Sequence, residues 1–261
     1  MNLSPDGRYY IRMHDGMPVP RPYAWRWLLP LLPLNIWALT TWTSLVLTPV
    51  CAAYYFSERG LHGHELTFAV ALLSVVPGVW RLALSLPILC DTPAFAAALA
   101  VAALSVRHPW AAAVAALPLG AAYEKGPVFA ALWGWSWWPL MGLTFVGWFR
   151  KHAPHDETTP EWIKHPFLTA MKYRERLGLD MEAYLLPFGA SLLAFTAPFS
   201  WQVILTTAVA FGQLFIAQDT IRLLVWAAPV LVCAAVPQIP QAWYVLALVF
   251  TLLSASKAKV V

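Results

Sequence analysis

The sequence predicts an all-α, polytopic helical membrane protein with about eight or nine transmembrane or re-entrant helices. Three observations lead there. Of 261 residues, 60% are hydrophobic and 11% charged, where a soluble domain carries about 25% charged residues. Charge-free runs fill 27–57, 66–80, 92–106, 109–123, 126–149, 183–217 and 223–256. Barrel strands would alternate apolar and polar residues, and these runs do not. Fifteen tryptophans, with Tyr9, Tyr10, Tyr54, Tyr55 and Tyr123, suit the belts at a membrane–water boundary.

The elements follow in order, within a single membrane domain over 1–261. A polar, proline-rich segment, 1–26, reads as an external interfacial stretch, and core spans occupy 28–149. The first is a long span at 28–56, followed by a turn over Ser57–Glu65. The next covers 66–88, carries Arg81 and ends at Asp91. Pro93 suits the first turn of the following helix, where its missing N–H costs nothing. That helix runs to Val106, Arg107-His108-Pro109 makes a tight return, 110–123 comes back and 126–149 crosses again. Residues 150–182 form the only substantial polar loop, and its Trp162, Pro166 and Phe167 suit a segment lying along the membrane surface. The C-terminal spans occupy 183–256. The run 183–217 is too long for one ordinary span, and Pro198 near its middle predicts a helical hairpin or re-entrant pair. Spans at 223–236 and 241–255 are divided near Pro237 and Pro240.

Positive charge sets the expected orientation. Arg59, Arg107, Arg150, Lys151, Lys164, Lys172, Arg174, Arg176, Lys257 and Lys259 share one side under this span count, which is therefore the cytoplasmic one. Asp6, Asp91 and Lys125 then face outward; the arginines of 1–26 run against this rule, and an upstream span or a partner subunit would reconcile them.

Cys51, Cys90 and Cys233 are scattered in or beside apolar runs and read as small packing residues. No cleavable signal peptide, nucleotide-binding glycine fingerprint or zinc-protease motif is present, and no nucleic-acid partner is expected. His62 and His64 lack a third ligand and read as solvated polar groups, and His152, His155 and His165 with Asp156 and Glu157 fit no tetrahedral site and read as a surface loop. Trp133, Trp135, Trp137 and Trp138 read as an interfacial girdle, or else as platforms that stack on sugar rings.

The chemistry-bearing residues sit at helix ends. Asp91 and Lys125 are 34 positions apart, separated by two short apolar runs, so both face the same compartment. Each run is about fifteen residues, or roughly 22 Å of helix, less than the hydrocarbon thickness of about 30 Å. Asp91, Glu124 and Lys125 are thereby drawn to the boundary, where ionisable groups mark functional sites. Two readings stand together: a structural ion pair capping short helices, or a cation holding an anionic headgroup. Asp6-Gly7-Arg8-Tyr9-Tyr10 and Arg26 add an acid and two phosphate-suited arginines, or else a solvated terminus with interfacial anchors.

Short motifs recur in a definite order. It runs Asp-Gly-x-x-Tyr at Asp6–Tyr10, Arg-x-Leu-Leu-Pro at Arg26–Pro30, Asp-x-Pro at Asp91–Pro93, a basic return at Arg107–Trp110 and Leu-Gly-Ala-Ala-x-x-Lys-Gly-Pro at Leu119–Pro127. Asp219-Thr220 with Arg222-Leu223-Leu224 and Pro229 comes last. Together these resemble the GT-C superfamily of integral-membrane glycosyltransferases, especially the bacterial branches that use polyprenyl-phosphate sugars. The resemblance implies a minimal or N-terminally short member of the bacterial cytoplasmic (inner) membrane, catalysing inverting hexosyl or pentosyl transfer on the external face. It implies Asp6 as general base and Asp91 as second acid, with Lys125, Arg8, Arg26, Arg222 and Glu124 around the donor phosphate. Its donor would be a polyprenyl-phosphate-linked sugar in contact with membrane lipid, and a divalent cation is left open. Two other readings stand beside it: a lipid or small-solute transporter or flippase, and a non-catalytic assembly subunit with a membrane protein partner.

Overall fold

The computed structural model describes residues 5–19, 26, 28–85, 89–152, 164–177, 184–215 and 220–257. Its elements are helical, and no β-strand occurs among the described residues. In chain order the helices are α1 (Pro5–His14), α2 (Leu34–Glu58), α3 (Gly63–Ser74), α4 (Pro77–Ser85), α5 (Asp91–Arg107), α6 (Pro109–Ala122), α7 (Gly126–Gly134) and α8 (Leu143–His152). After these come α9 (Pro166–Leu177), α10 (Trp201–Gly212), α11 (Thr220–Leu224), α12 (Ala228–Ala235) and α13 (Tyr244–Lys257), with 3-10 turns between several of them.

Helix α2 alone, among the described residues, is long and apolar enough by itself to cross a membrane. Its 25 residues extend about 37 Å. Large apolar side chains remain exposed along it, among them Ile36, Leu39, Trp42, Val46, Leu47 and Val50, while Trp37, Tyr55 and Phe56 are buried together with Thr41 and Thr48. The other apolar helices are shorter, at 10–17 residues.

The chain forms two compact units, Met1–Cys51 with Leu82–Ile163, and Ala52–Arg81 with Lys164–Val261. In the first unit, α5, α6 and α7 pack with the turn Trp138–Gly142. Small residues permit close approach: a Cβ added at Gly120 would lie 2.2 Å from the Gly142 carbonyl oxygen, and one at Gly142 would lie 2.2 Å from that of Ala116. Phe95 meets the buried Trp133 edge-on at 5.4 Å between ring centroids. The expected single span 126–149 is instead broken. Helix α7 stops where Trp135 adopts a left-handed conformation (φ 52°, ψ 47°), and the Ser136 N–H closes the turn on the Ala131 carbonyl. The expected span 66–88 is likewise divided, α3 ending before Pro77 opens α4. Proline lacks the N–H needed to continue the first helix and suits the start of the second.

In the second unit the break expected near Pro198 is present: a 3-10 segment, Leu186–Thr196, ends before α10 begins at Trp201. The 3-10 segment packs on α12 and α13. It bends at Gly189 (φ 49°, ψ −127°), where a Cβ would lie 2.6 Å from the Cα of Thr251. The Thr251 hydroxyl accepts the Ala190 N–H at 3.0 Å and donates to the Ala247 carbonyl at 2.8 Å. Phe68 of α3 stacks on Tyr244 of α13 with centroids 3.8 Å apart. Arg59, past the end of α2, donates to Gln202 of α10 and also hydrogen-bonds Tyr55 and Cys233.

Candidate functional site

The N-terminal segment is neither free nor wholly solvated. Helix α1 buries Gly7 and Tyr10, and Tyr10 packs on Trp37 of α2 with ring centroids 5.5 Å apart. At its end, His14 Nδ1 lies 3.0 Å from the Pro30 carbonyl oxygen, and Arg12 donates to the Pro18 carbonyl. Helix α1 is thus anchored on its Tyr10 face and at His14, while Arg8 and residues 15–18 are exposed.

Arg26 is the hub. Its Nε donates to Glu124 Oε2 at 2.7 Å and its Nη2 to Oε1 at 2.6 Å, a bidentate pair with side chains only 7% and 17% exposed. Its Nη1 donates to the Tyr10 hydroxyl at 2.5 Å. The guanidinium carbon lies 4.5 Å from the centroid of the Tyr123 ring, and Lys125 Nζ lies 5.8 Å from the same centroid. Planar arginine suits this setting because it can fork onto a carboxylate and lie over a ring at once.

The backbone explains why these groups meet. Helix α6 ends at Ala122, the Gly126 N–H turns back to the Tyr123 carbonyl, and α7 starts beyond Lys125. Tyr123, Glu124 and Lys125 therefore occupy one tight turn. Opposite in sequence, Asp91 begins α5 and is 4% exposed; a carboxylate at a helix N-terminus meets the positive end of the helix dipole. Cys90, fully buried just before it, hydrogen-bonds Tyr10, and the charges of Arg26, Asp91 and Glu124 all act on its thiol.

The charges tune one another. Burial alone would raise the Glu124 carboxyl, but Arg26, through charge and hydrogen bonds, and then Lys125 outweigh it and hold it below the ordinary value. Burial opposes the Arg26 cation, yet Glu124 and the two tyrosines leave it well above its ordinary value. Burial pushes the Cys90 thiol up to about 12 despite the nearby guanidinium. Arg26 and Glu124 thus neutralise each other, with Lys125 adding positive charge beside Glu124.

Of the residues expected from the sequence, Arg26, Glu124 and Lys125 come together in the first unit, and Asp91 adjoins them through Cys90, whose thiol feels Arg26 and Glu124. Asp6 stands in α1 one turn before Tyr10, although its side chain lies outside the described side chains. Arg8 is exposed on the same helix. Arg222 is buried at 7% exposure in α11 of the second unit, and Asp219 lies outside the described residues. Sequence reasoning missed Tyr10, Tyr123 and Cys90 as site members. The signal for Tyr10 was its helical spacing from Asp6; for Tyr123 and Cys90 it was adjacency to Glu124 and Asp91. Among the described residues no cluster of three or more His, Cys, Asp or Glu could hold a metal ion. No protein-family model, curated protein or solved structure matches this chain.

Proposed function

We propose that the protein is an integral-membrane glycosyltransferase of GT-C type that transfers a sugar from a polyprenyl-phosphate donor to an acceptor hydroxyl on the external face of a bacterial inner membrane. The observation that supports it best is the tie from Tyr10 through Arg26 to Glu124, which joins the helix bearing Asp6 to the turn bearing Lys125, with Asp91 beside it. The remaining membrane spans of this reading are built from the shorter apolar helices, and the apolar exposed face of α2 suits lipid.

In this mechanism the acceptor oxygen attacks the anomeric carbon from the face opposite the phosphate, so the configuration inverts. Asp6 takes the hydroxyl proton as the new C–O bond forms. The bond from the anomeric carbon to the phosphate oxygen breaks, and its electron pair leaves with the lipid phosphate. Lys125, aided by Arg8, balances that charge. Arg26 is a positioning residue here: Glu124 and Tyr10 occupy its donors, which favours holding the site together over binding phosphate. Asp91 acts as the second acid, orienting the acceptor.

The test is a lipid-linked sugar transfer assay on purified Asp6→Asn in lipid. Transfer should fall by about 10²-fold or more, with melting temperature unchanged. Full activity in that variant would remove Asp6 as the base; transfer undetectable in the wild type across polyprenyl-phosphate hexoses and pentoses would remove the reading itself.

A further inference from the structure

Helix α9 lies in the polar stretch that the transfer chemistry does not use. It packs inward through Ala170, 1% exposed, toward Gln213–Phe215. Leu168, two residues earlier and so about 200° around the helix, faces away and is 55% exposed. Phe167 and Met171 are exposed beside it, and Phe215 stacks on Phe167 with centroids 6.0 Å apart while remaining exposed itself. Lys172, exposed, stands four residues after Leu168 on the same face of the helix, and Lys164, also exposed, lies two residues before the helix begins, ahead of the bend at His165. Arg174 and Arg176 follow in the sequence.

An apolar stripe with one lysine a turn beyond it and another just ahead of the helix suits a surface with hydrocarbon beneath and negative charge above. At such a surface a lysine stem can lie along apolar neighbours while its ammonium group reaches the headgroups. A second copy of the same face would set these lysines against like charge. We propose that α9 is an interfacial helix that seats on an anionic phospholipid leaflet, with Phe167, Leu168, Met171 and Phe215 entering the acyl boundary and Lys164 and Lys172 binding headgroup phosphates. This rests on the membrane placement above, not on the transfer chemistry.

The test is hydrogen–deuterium exchange of the full chain in nanodiscs of phosphatidylcholine alone or mixed with phosphatidylglycerol. Each lysine near an anionic surface contributes about fivefold in binding, so α9 amides should exchange at least about tenfold more slowly in the anionic discs. Lys164→Gln with Lys172→Gln should return exchange to the neutral-disc rate while leaving α5–α7 protection unchanged. Equal protection of α9 in both lipids would overturn the proposal, as would protection seen only in crude membranes, which would assign the face to a protein partner. Failure of the chain to enter nanodiscs at all would instead overturn the membrane placement.

Discussion

Replacing Glu124 with Gln keeps the shape of the side chain and removes its charge. Arg26 then stays 7% exposed with its main counter-charge gone. Two unit charges about 4 Å apart attract by about 4 kcal/mol at an effective dielectric near 20, and losing one partner of a buried pair costs about 3–5 kcal/mol. The bidentate contacts at 2.6 and 2.7 Å argue for the upper part of that range. Tryptophan fluorescence melting in detergent should therefore show Glu124→Gln lower by on the order of 10 °C. Burial makes the loss nearly independent of added salt, which screens exposed pairs far more. Removing both charges, Arg26→Met with Glu124→Leu, should recover most of it, since neither ion is then left buried alone. A single variant melting within about 2 °C of wild type, or a double variant below the single one, would refute the reasoning.

Two further outcomes follow from the same structure. The lowered Glu124 pKa means that its stabilisation is complete above the ordinary carboxyl value of 4.5 and is lost as pH falls through the depressed folded value. The wild type should thus lose melting temperature below that ordinary value, and Glu124→Gln should lack this part of the acid limb; an identical limb in both would remove Glu124 as its source. Gly189→Ala forces a side chain into a left-handed position and toward the Thr251 backbone 2.6 Å away, which should cost about 3 kcal/mol from strain and overpacking. Gly212→Ala, in a helix with open space around it, should instead be neutral or stabilising by up to about 1 kcal/mol. Equal melting of the two alanine variants would show that the close approach at Gly189 is wrong.

Helical character was legible because charge-free runs of helix-compatible residues leave the backbone few other ways to satisfy itself. Boundaries set by local chemistry were legible too: Pro93 within the first turn of α5, the basic return at Arg107–Pro109 and the break near Pro198. The breaks at Trp135 and before Pro77 were less so, because an apolar run carries no mark of where packing makes a turn more favourable than another helical residue. Trp135 in particular adopts a conformation that its residue type disfavours, which a sequence pattern would assign to glycine.

The candidate site divides in the same way. Composition and the order of motifs singled out Arg26, Asp91, Glu124 and Lys125, because charges beside apolar helices are rare and costly. The parity of two short helices led to the expectation that Asp91 and Lys125 share one side. Only the tertiary structure decided that Arg26 is committed to Glu124 across 98 residues, that Tyr10 and Tyr123 complete its environment, and that Cys90 sits against them. Periodicity encodes which face of a helix is apolar, whereas a bidentate ion pair depends on where a distant turn comes to rest. The sequence by itself thus determined the helical class and the rare charges; packing decided that Arg26 and Glu124 neutralise one another.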